Sequence, residues 1–307
     1  MAFDAQQMHF PTTCPNPELL ARLTQGSPLK TPEKVRQVMG DLVFPAPPAQ
    51  RPYLFGCMVL SFDGKMGFYD NPEGTLISKE NHFDEVGGKT DFWIMNVCRT
   101  YADGVILGTG TLRARMNKLW YAQIVDPDLL QARKELGKTT PEPLNLIASL
   151  DGTDVPVEHP IFHQLTPKPL ILTSLAGAHH LQQVMGQPVR VVTQPCDLAA
   201  GTDVIQVVAA GEEHPDTAQL LRLLRESGLN YLSVEAPGYI WQLIREGLLD
   251  EYMLNYSGVM AGGNVAVGTW AGFTAEHHPH VALLSVGYGP GFLFTRQKLL
   301  YSEQAPA

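Results

Sequence analysis

Apolar runs of strand length recur along this chain from Tyr53 onward. They are Tyr53–Leu60, Gly104–Leu107, Leu144–Ala148, Leu170–Leu172, Val189–Val192, Val204–Val208 and Tyr231–Val234, rich in Val, Ile, Leu and aromatic residues. Continuous apolar runs suit strands buried on both faces, as in a parallel sheet; one solvated face would give alternation instead. Helical signals lie between several of them. Ser78 can cap a helix over Lys79–Val86, Thr90–Asp91 another over Phe92–Tyr101, and Ser174 one over Leu175–Met185. Asp216 precedes Thr217–Ser227, where Leu220, Leu221, Leu223 and Leu224 form an apolar face and Gly228 a stop. Tyr239–Glu246 reads as a short helix ending at Gly247. Strands alternating with helices predict an α/β domain with a mainly parallel sheet.

The end of the chain changes character. Glu251–Tyr256, Val281–Val286 and Phe292–Arg296 read as strands with no helical pattern between them. The turn residues Gly287–Gly291 fit a hairpin, so the sheet is expected to carry an antiparallel C-terminal edge. One continuous domain over 53–307 is the simplest arrangement.

Residues 1–52 differ, holding nine of the 24 prolines. Asn16-Pro17 and Thr31-Pro32 each offer a cap followed by Pro at the first helical position. This segment reads as an arm that wraps the main body or a partner subunit, or as a free extension. Its stretch 45–52 reads as a stiff linker.

Composition narrows the function. Lys plus Arg is 22 against 31 for Asp plus Glu, a net charge of −9. That argues against non-specific nucleic-acid binding, which needs a basic surface, but leaves room for a small phosphorylated ligand. No apolar run approaches the roughly 20 residues of a membrane span. Met1–Phe10 carries no secretory pattern, so a cytoplasmic protein is expected. Cys14, Cys57, Cys98 and Cys196 form no CxxC, and no metal site is expected. Cys57 and Cys98 sit in apolar segments and read as buried, inert thiols.

Four places can carry chemistry. Ser61-Phe62-Asp63-Gly64-Lys65 follows the first strand, where open α/β sheets bind ligands; Lys65 is either aimed into the crevice or solvated. Gly108-Thr109-Gly110-Thr111-Leu112-Arg113 follows another strand and can bring backbone amides to a phosphate, although Arg113 stands where a dinucleotide fingerprint has its third glycine. Glu235, in Val234-Glu235-Ala236-Pro237-Gly238, is either a ligand-binding carboxylate or a helix N-terminal charge. Arg99 is either a helix C-terminal dipole partner or a phosphate fork. His277-His278-Pro279-His280 lacks a nearby carboxylate or Cys cluster and reads as loop histidines.

The order of these blocks, with Ala102–Thr111, Pro143–Ser149, Pro169–Ser174, Gly247–Glu251 and Gly262-Gly263, resembles the C-terminal reductase domain of the RibD family of riboflavin biosynthesis, from about Arg51 to Arg296. The resemblance implies a dihydrofolate-reductase-like three-layer sandwich, NADPH as cofactor, a phosphorylated heterocyclic substrate and a homodimer. In the family, hydride reaches the C1′ of a ribosylamino-pyrimidine after ring opening to an imine. It further implies that Lys65 and Glu235 are catalytic and that Gly74, Arg99 and Leu119 bind substrate. Val59, Gly108, Thr109, Thr111, Leu150, Pro237, Gly238, Tyr239 and Ile240 fall where the cofactor lies.

The chain departs from the family at three points. Arg115 replaces an aspartate near the reaction centre, and Ala122 replaces a second phosphate-binding arginine. Pro237 removes one backbone N–H that a phosphate could meet. A same-fold reductase of a pterin or other heterocyclic or carbonyl compound is therefore an alternative. A non-catalytic nucleotide- or flavin-binding protein is another. For an acidic chain to hold anionic ligands, Lys65, Arg99, Arg113, Arg115 and Lys118 are expected to gather at one cleft.

Overall fold

A computed structural model describes residues 3–199 and 203–301. Its strands are β1 (Thr12–Thr13), β2 (Tyr53–Ser61), β3 (Gly104–Gly108), β4 (Leu144–Ala148), β5 (Leu170–Thr173), β6 (Val189–Val192), β7 (Ile205–Ala209), β8 (Tyr231–Val234), β9 (Glu251–Ser257), β10 (His280–Tyr288) and β11 (Phe292–Leu300). They form one sheet in the order β1-β10-β11-β9-β2-β8-β3-β4-β5-β7-β6. Pairing is parallel from β9 across to β6. It is antiparallel from β9 through β11 and β10 to β1. The apolar runs and the C-terminal hairpin thus fall where the sequence places them. Residues 302–307, the tail of the expected domain, lie outside the described residues.

The chain winds outward from β3 to β5, β6 and β7. It then returns to insert β8 between β2 and β3, and β9 on the far side of β2. This reversal splays the connections apart above β2, β8 and β3, which opens a crevice at the C-terminal strand ends.

Register assigns the faces. Phe55, Ser233 and Val105 stand abreast on β2, β8 and β3. Their face packs under the helices Glu85–Tyr101 and Leu175–Val184, with Trp93, Ile94 and Val97 on one side and Ala178 and Leu181 on the other. Leu54, Ile106 and Leu232 point oppositely, onto Leu220, Leu224, Ile240 and Leu243 of helices Thr217–Glu226 and Pro237–Arg245. Helices on both faces of a buried parallel sheet make the expected three layers.

Three expected helix starts move. In place of Lys79–Val86 and Phe92–Tyr101, there is a single turn at Leu76–Lys79 and one long helix, Glu85–Tyr101, capped by the Asp84 carboxylate on the Gly87 amide at 2.8 Å. Thr90 and Asp91 lie inside it because their side chains have other uses. Thr90 donates back to the Val86 carbonyl at 2.8 Å, and Asp91 makes tertiary hydrogen bonds. The helix expected over Tyr239–Glu246 begins two residues earlier, at Pro237, whose fixed φ suits the first position.

Residues 3–52 are held against the sheet. Val35, Val38, Leu42 and Phe44 are buried with Phe55, Trp93 and Tyr101. Phe44 stacks on Phe55 with ring centroids 4.2 Å apart, and Phe10 on Phe294 at 4.5 Å. The Tyr101 hydroxyl donates to the Leu42 carbonyl at 2.7 Å. The two expected caps are used elsewhere. Asn16 donates its amide to Leu283, and the Thr31 hydroxyl pairs with the Leu42 backbone while Pro32 takes the cap position. The stretch 45–52 is pinned as well, by Tyr231 on Pro45, Arg225 on Pro48 and Arg51 on Asp250.

Candidate active site

A cleft of about 1820 Å³ lies over the C-terminal ends of β2, β3, β4 and β8. Its position follows from the strand order, and five segments contribute to its walls.

The first is the end of β2. Cys57, Met58 and Val59 line the cleft. Beyond them Ser61 closes a tight turn, its amide donating to the Lys65 carbonyl and its hydroxyl accepting from the Lys65 amide, both at 2.8 Å. Gly64 supplies the positive φ of 79° that this turn requires. Asp63 accepts from the Ser61 hydroxyl and from the Ala261 and Gly262 amides, which holds its carboxyl down at a pKa of about 2. The turn brings Met66 to the cleft wall and leaves Lys65 off it.

The second is the long helix. Asp91, Met95 and Arg99 recur every four residues and form one stripe on the cleft. Arg99 and Glu235 meet in a bidentate pair, Nε to Oε1 at 2.7 Å and Nη2 to Oε2 at 2.6 Å. Arg99 also donates Nη1 to the Gln123 carbonyl at 2.7 Å. Burial opposes the Arg99 charge, but the Glu235 carboxylate outweighs it and raises the pKa above the ordinary arginine value.

Asp91 is different. It accepts from the Ser78 hydroxyl at 2.5 Å and from the Asn255 amide at 2.8 Å. Burial pushes its pKa up, and these two neutral donors hold it down only in part. Cys57, under the same wall, is raised by its hydrogen bond with Cys98 and by burial.

The third segment is Gly108–Arg115, after β3. Gly108, Thr109, Gly110, Thr111 and Arg115 line the cleft, and the Thr109 hydroxyl donates to the Asp154 carboxylate. Arg115 pairs with Glu73 at 2.8 Å and lies over the Trp120 ring at 5.2 Å. The fourth is the end of β4, where Ser149 donates to Asp154 at 2.5 Å beside the exposed Leu150. The fifth is Ala236–Tyr239, after β8. The helix beginning at Pro237 has no side-chain cap, and the space where a Gly238 Cβ would stand is open.

Of the residues singled out from the sequence, Val59, Gly74, Arg99, Gly108, Thr109, Thr111, Leu150, Glu235, Pro237, Gly238 and Tyr239 line this one cleft. Lys65, Leu119 and Ile240 do not: Leu119 packs beside Leu112 and Ala122, and Ile240 is buried under the sheet. The expected gathering of cations is not what the cleft contains. Lys65, Arg113 and Lys118 lie off its wall, and Arg99 and Arg115 are each matched by a carboxylate. Lys79 and Lys89 line it instead. Asp91 is the residue that sequence reading missed; its signal is the i, i+4, i+8 stripe with Met95 and Arg99. Among the described residues, no cluster of His, Cys, Asp or Glu could hold a metal ion, and no helix is long and apolar enough to cross a membrane.

The fold is a three-layer α/β sandwich with a cleft over the C-terminal ends of its parallel strands. The model of the RibD C-terminal domain family matches residues 52–286, and the chain belongs to that family. Solved structures share the fold. A pyrimidine reductase-like protein from Corynebacterium diphtheriae is 18% identical with TM-score 0.55, over 82% of this chain and 93% of that one. RibD from Acinetobacter baumannii is 16% identical with TM-score 0.54, over 92% of this chain and 63% of its own. A diaminohydroxyphosphoribosylaminopyrimidine deaminase/5-amino-6-(5-phosphoribosylamino)uracil reductase from Thermotoga maritima is 13% identical with TM-score 0.51, over 81% of this chain and 56% of its own. The chain thus spans under two thirds of these last two proteins. A search of curated proteins finds no match.

Proposed function

We propose that this chain is an NADPH-dependent reductase of the riboflavin-pathway type, reducing the ribosylamino group of a phosphorylated pyrimidine at the sugar C1′. The observation that carries this reading is the cleft itself, in which a helix N-terminus and a glycine-rich strand end line the same wall as the Arg99–Glu235 pair. The strand-end backbone fits a dinucleotide. Gly238 and Tyr239 head an uncapped helix of nine residues that opens on the cleft, where the amides and dipole favour a pyrophosphate. Gly108–Thr111 and Leu150 flank it. NADPH supplies the hydride when bound.

The chain's own residues position and polarise the substrate. Arg99 fixes the Glu235 carboxyl in a bidentate pair, and each Glu235 oxygen keeps a lone pair for a substrate N–H. Gly74 and Met95 shape the wall beside it. Residues 53–307 form the reductase domain in this reading, residues 1–52 an arm bound to it. The protein acts in the cytoplasm as a homodimer.

NADPH oxidation with 5-amino-6-(5-phosphoribosylamino)uracil tests the reading. Steady turnover, lost in Glu235→Ala, is expected. Tight NADPH binding without turnover would overturn it.

A second reading has one observation in its favour. Arg99 and Arg115 are both committed to carboxylates, at 2.6 and 2.8 Å, so neither is free for a substrate phosphate. That suits an unphosphorylated heterocycle or carbonyl compound such as a pterin. A substrate panel under NADPH separates the two, since turnover confined to ribosylamino-pyrimidines would remove the second.

A further inference from the structure

Among the carboxyl groups on the cleft wall, Glu235 and Asp91 stand in opposite circumstances. Glu235 is matched by the Arg99 guanidinium. Asp91 stands on the same helix stripe as Arg99, yet it takes part in no ion pair among the described residues, and its partners are neutral. When two carboxyls share a site and only one has a cation, the other keeps its proton more readily.

The ionisable groups on the elements around Asp91 do not change this. The thiol of Cys57 on β2 is raised by its hydrogen bond with Cys98 and by burial. Arg99 and Glu235 neutralise each other. Lys79 and Lys89 line the cleft exposed to solvent, with Lys79 bonded to the Thr75 hydroxyl. Across the sheet, Arg296 on β11 is taken by Glu251 on β9 at 2.7 Å. What faces Asp91 directly is the Ser78 hydroxyl and the Asn255 amide. The hydroxyl can donate to the carboxylate or accept from the acid, so it serves both protonation states.

We propose that Asp91 is the proton donor of this cleft, delivering its carboxyl proton to the heteroatom of the C=N or C=O bond that is reduced. The assignment rests on the reductase reading above. A reduced nicotinamide, when bound, would supply a hydride with its two electrons to carbon and would be oxidised in doing so. The Asp91 proton goes to the nitrogen or oxygen, onto the π pair of the double bond. Asp91 is then left as a carboxylate, which water in the open cleft reprotonates. Nothing in the riboflavin-family resemblance gave Asp91 this part. Its helix stripe and its two neutral partners do.

Two measurements test it. In protein labelled with ¹³C at the aspartate carboxyls, one resonance should titrate above the ordinary aspartate range and vanish in Asp91→Asn. Titration of that resonance in the ordinary range would overturn the assignment without any turnover assay. In the second, NADPH oxidation with 5-amino-6-(5-phosphoribosylamino)uracil is followed across pH. The wild-type rate should fall as pH rises through the Asp91 pKa. Asp91→Asn should lose about 100-fold, the low end for a general acid, with NADPH binding unchanged. Ser78→Ala removes a donor to the carboxylate, so the falling limb should move to higher pH, which a purely structural role would not produce. An active wild type with an equally active Asp91→Asn variant overturns this assignment alone. A wild type that binds NADPH and turns over nothing overturns the reductase reading and this assignment with it.

Discussion

Arg99 and Glu235 grip each other through two parallel hydrogen bonds, at 2.7 and 2.6 Å, inside the cleft wall. The pair ties the long helix to the end of β8, two elements 136 residues apart in sequence. Their side chains are 3% and 6% exposed, so each charge depends on the other. Removing one partner of a buried pair strands the remaining charge. Glu235→Ala is expected to cost ~3–5 kcal/mol in chemical denaturation. Replacing both by apolar residues of similar size, Arg99→Met with Glu235→Leu, should recover much of that loss. A single-variant cost below about 1 kcal/mol would show that water reaches the pair.

Asp63 makes the strand-end turn sensitive to acid. Its folded pKa of about 2 lies below the ordinary 3.8, so the carboxylate favours the folded arrangement. That contribution is fully present above pH 4 and is lost as pH falls through about 2. The amides it holds belong to Ala261 and Gly262. Their hydrogen exchange should quicken over this window ahead of the sheet amides. In Asp63→Asn it should be fast throughout, and equal rates in the two proteins would refute the anchor.

The thiols divide into two classes. Cys14 and Cys196 are exposed, and Cys57 and Cys98 are buried. Cys57 is raised by Cys98 and by burial, away from the reactive thiolate. A thiol reagent should therefore label Cys14 and Cys196 in the native protein and all four on unfolding. Native labelling of Cys57 would mean that the cleft wall opens.

Phe44 tests how far the first 52 residues are part of the core. It is fully buried, stacks on Phe55 and meets Tyr101 edge-on at 5.2 Å. Arg296 lies over its other side at 5.2 Å and donates to the Val43 carbonyl. Phe44→Ala should cost ~3–5 kcal/mol, as for other buried phenylalanines. A change below 1 kcal/mol, read from the urea midpoint, would mean that the arm contributes little to stability.

The sheet was legible because its strands are buried on both faces, and uninterrupted runs such as Leu144–Ala148 state that directly. The place of Glu235 and Gly108–Thr111 on the cleft wall is legible because both follow the C-terminal ends of parallel strands, where such sheets open their crevices. Ser78 and Thr90 do not start helices, because a capping residue and a residue bonded elsewhere look alike in sequence. Only the fold brings Asp91 to Asn255, 164 residues away. Which residue of the turn after β2 faces the cleft is decided by the turn's backbone bonds rather than by its sequence, and these put Met66 on the wall and Lys65 off it. Nor does composition say which cations carry a carboxylate partner.

Arg115 and Glu73 give the last test, because they join two loops along the cleft. Their 2.8 Å pair links the segment before Leu76–Lys79 to the one after β3, with Trp120 under the guanidinium. Their side chains are 21% and 37% exposed, so the pair should add under about 1 kcal/mol to global stability. Its larger effect should be local. Arg115→Ala frees Glu73, whose pKa is held down by the Thr75 hydroxyl and by Arg115, and leaves an unmatched carboxylate on the cleft wall. An anionic ligand should then bind more weakly, and KM for a phosphorylated substrate should rise while Tm scarcely moves. Charge exchange in Glu73→Arg with Arg115→Glu should restore the link and most of the affinity. If Arg115→Ala instead tightens binding, the guanidinium is obstructing the cleft rather than holding its loops, and the pair has the opposite role.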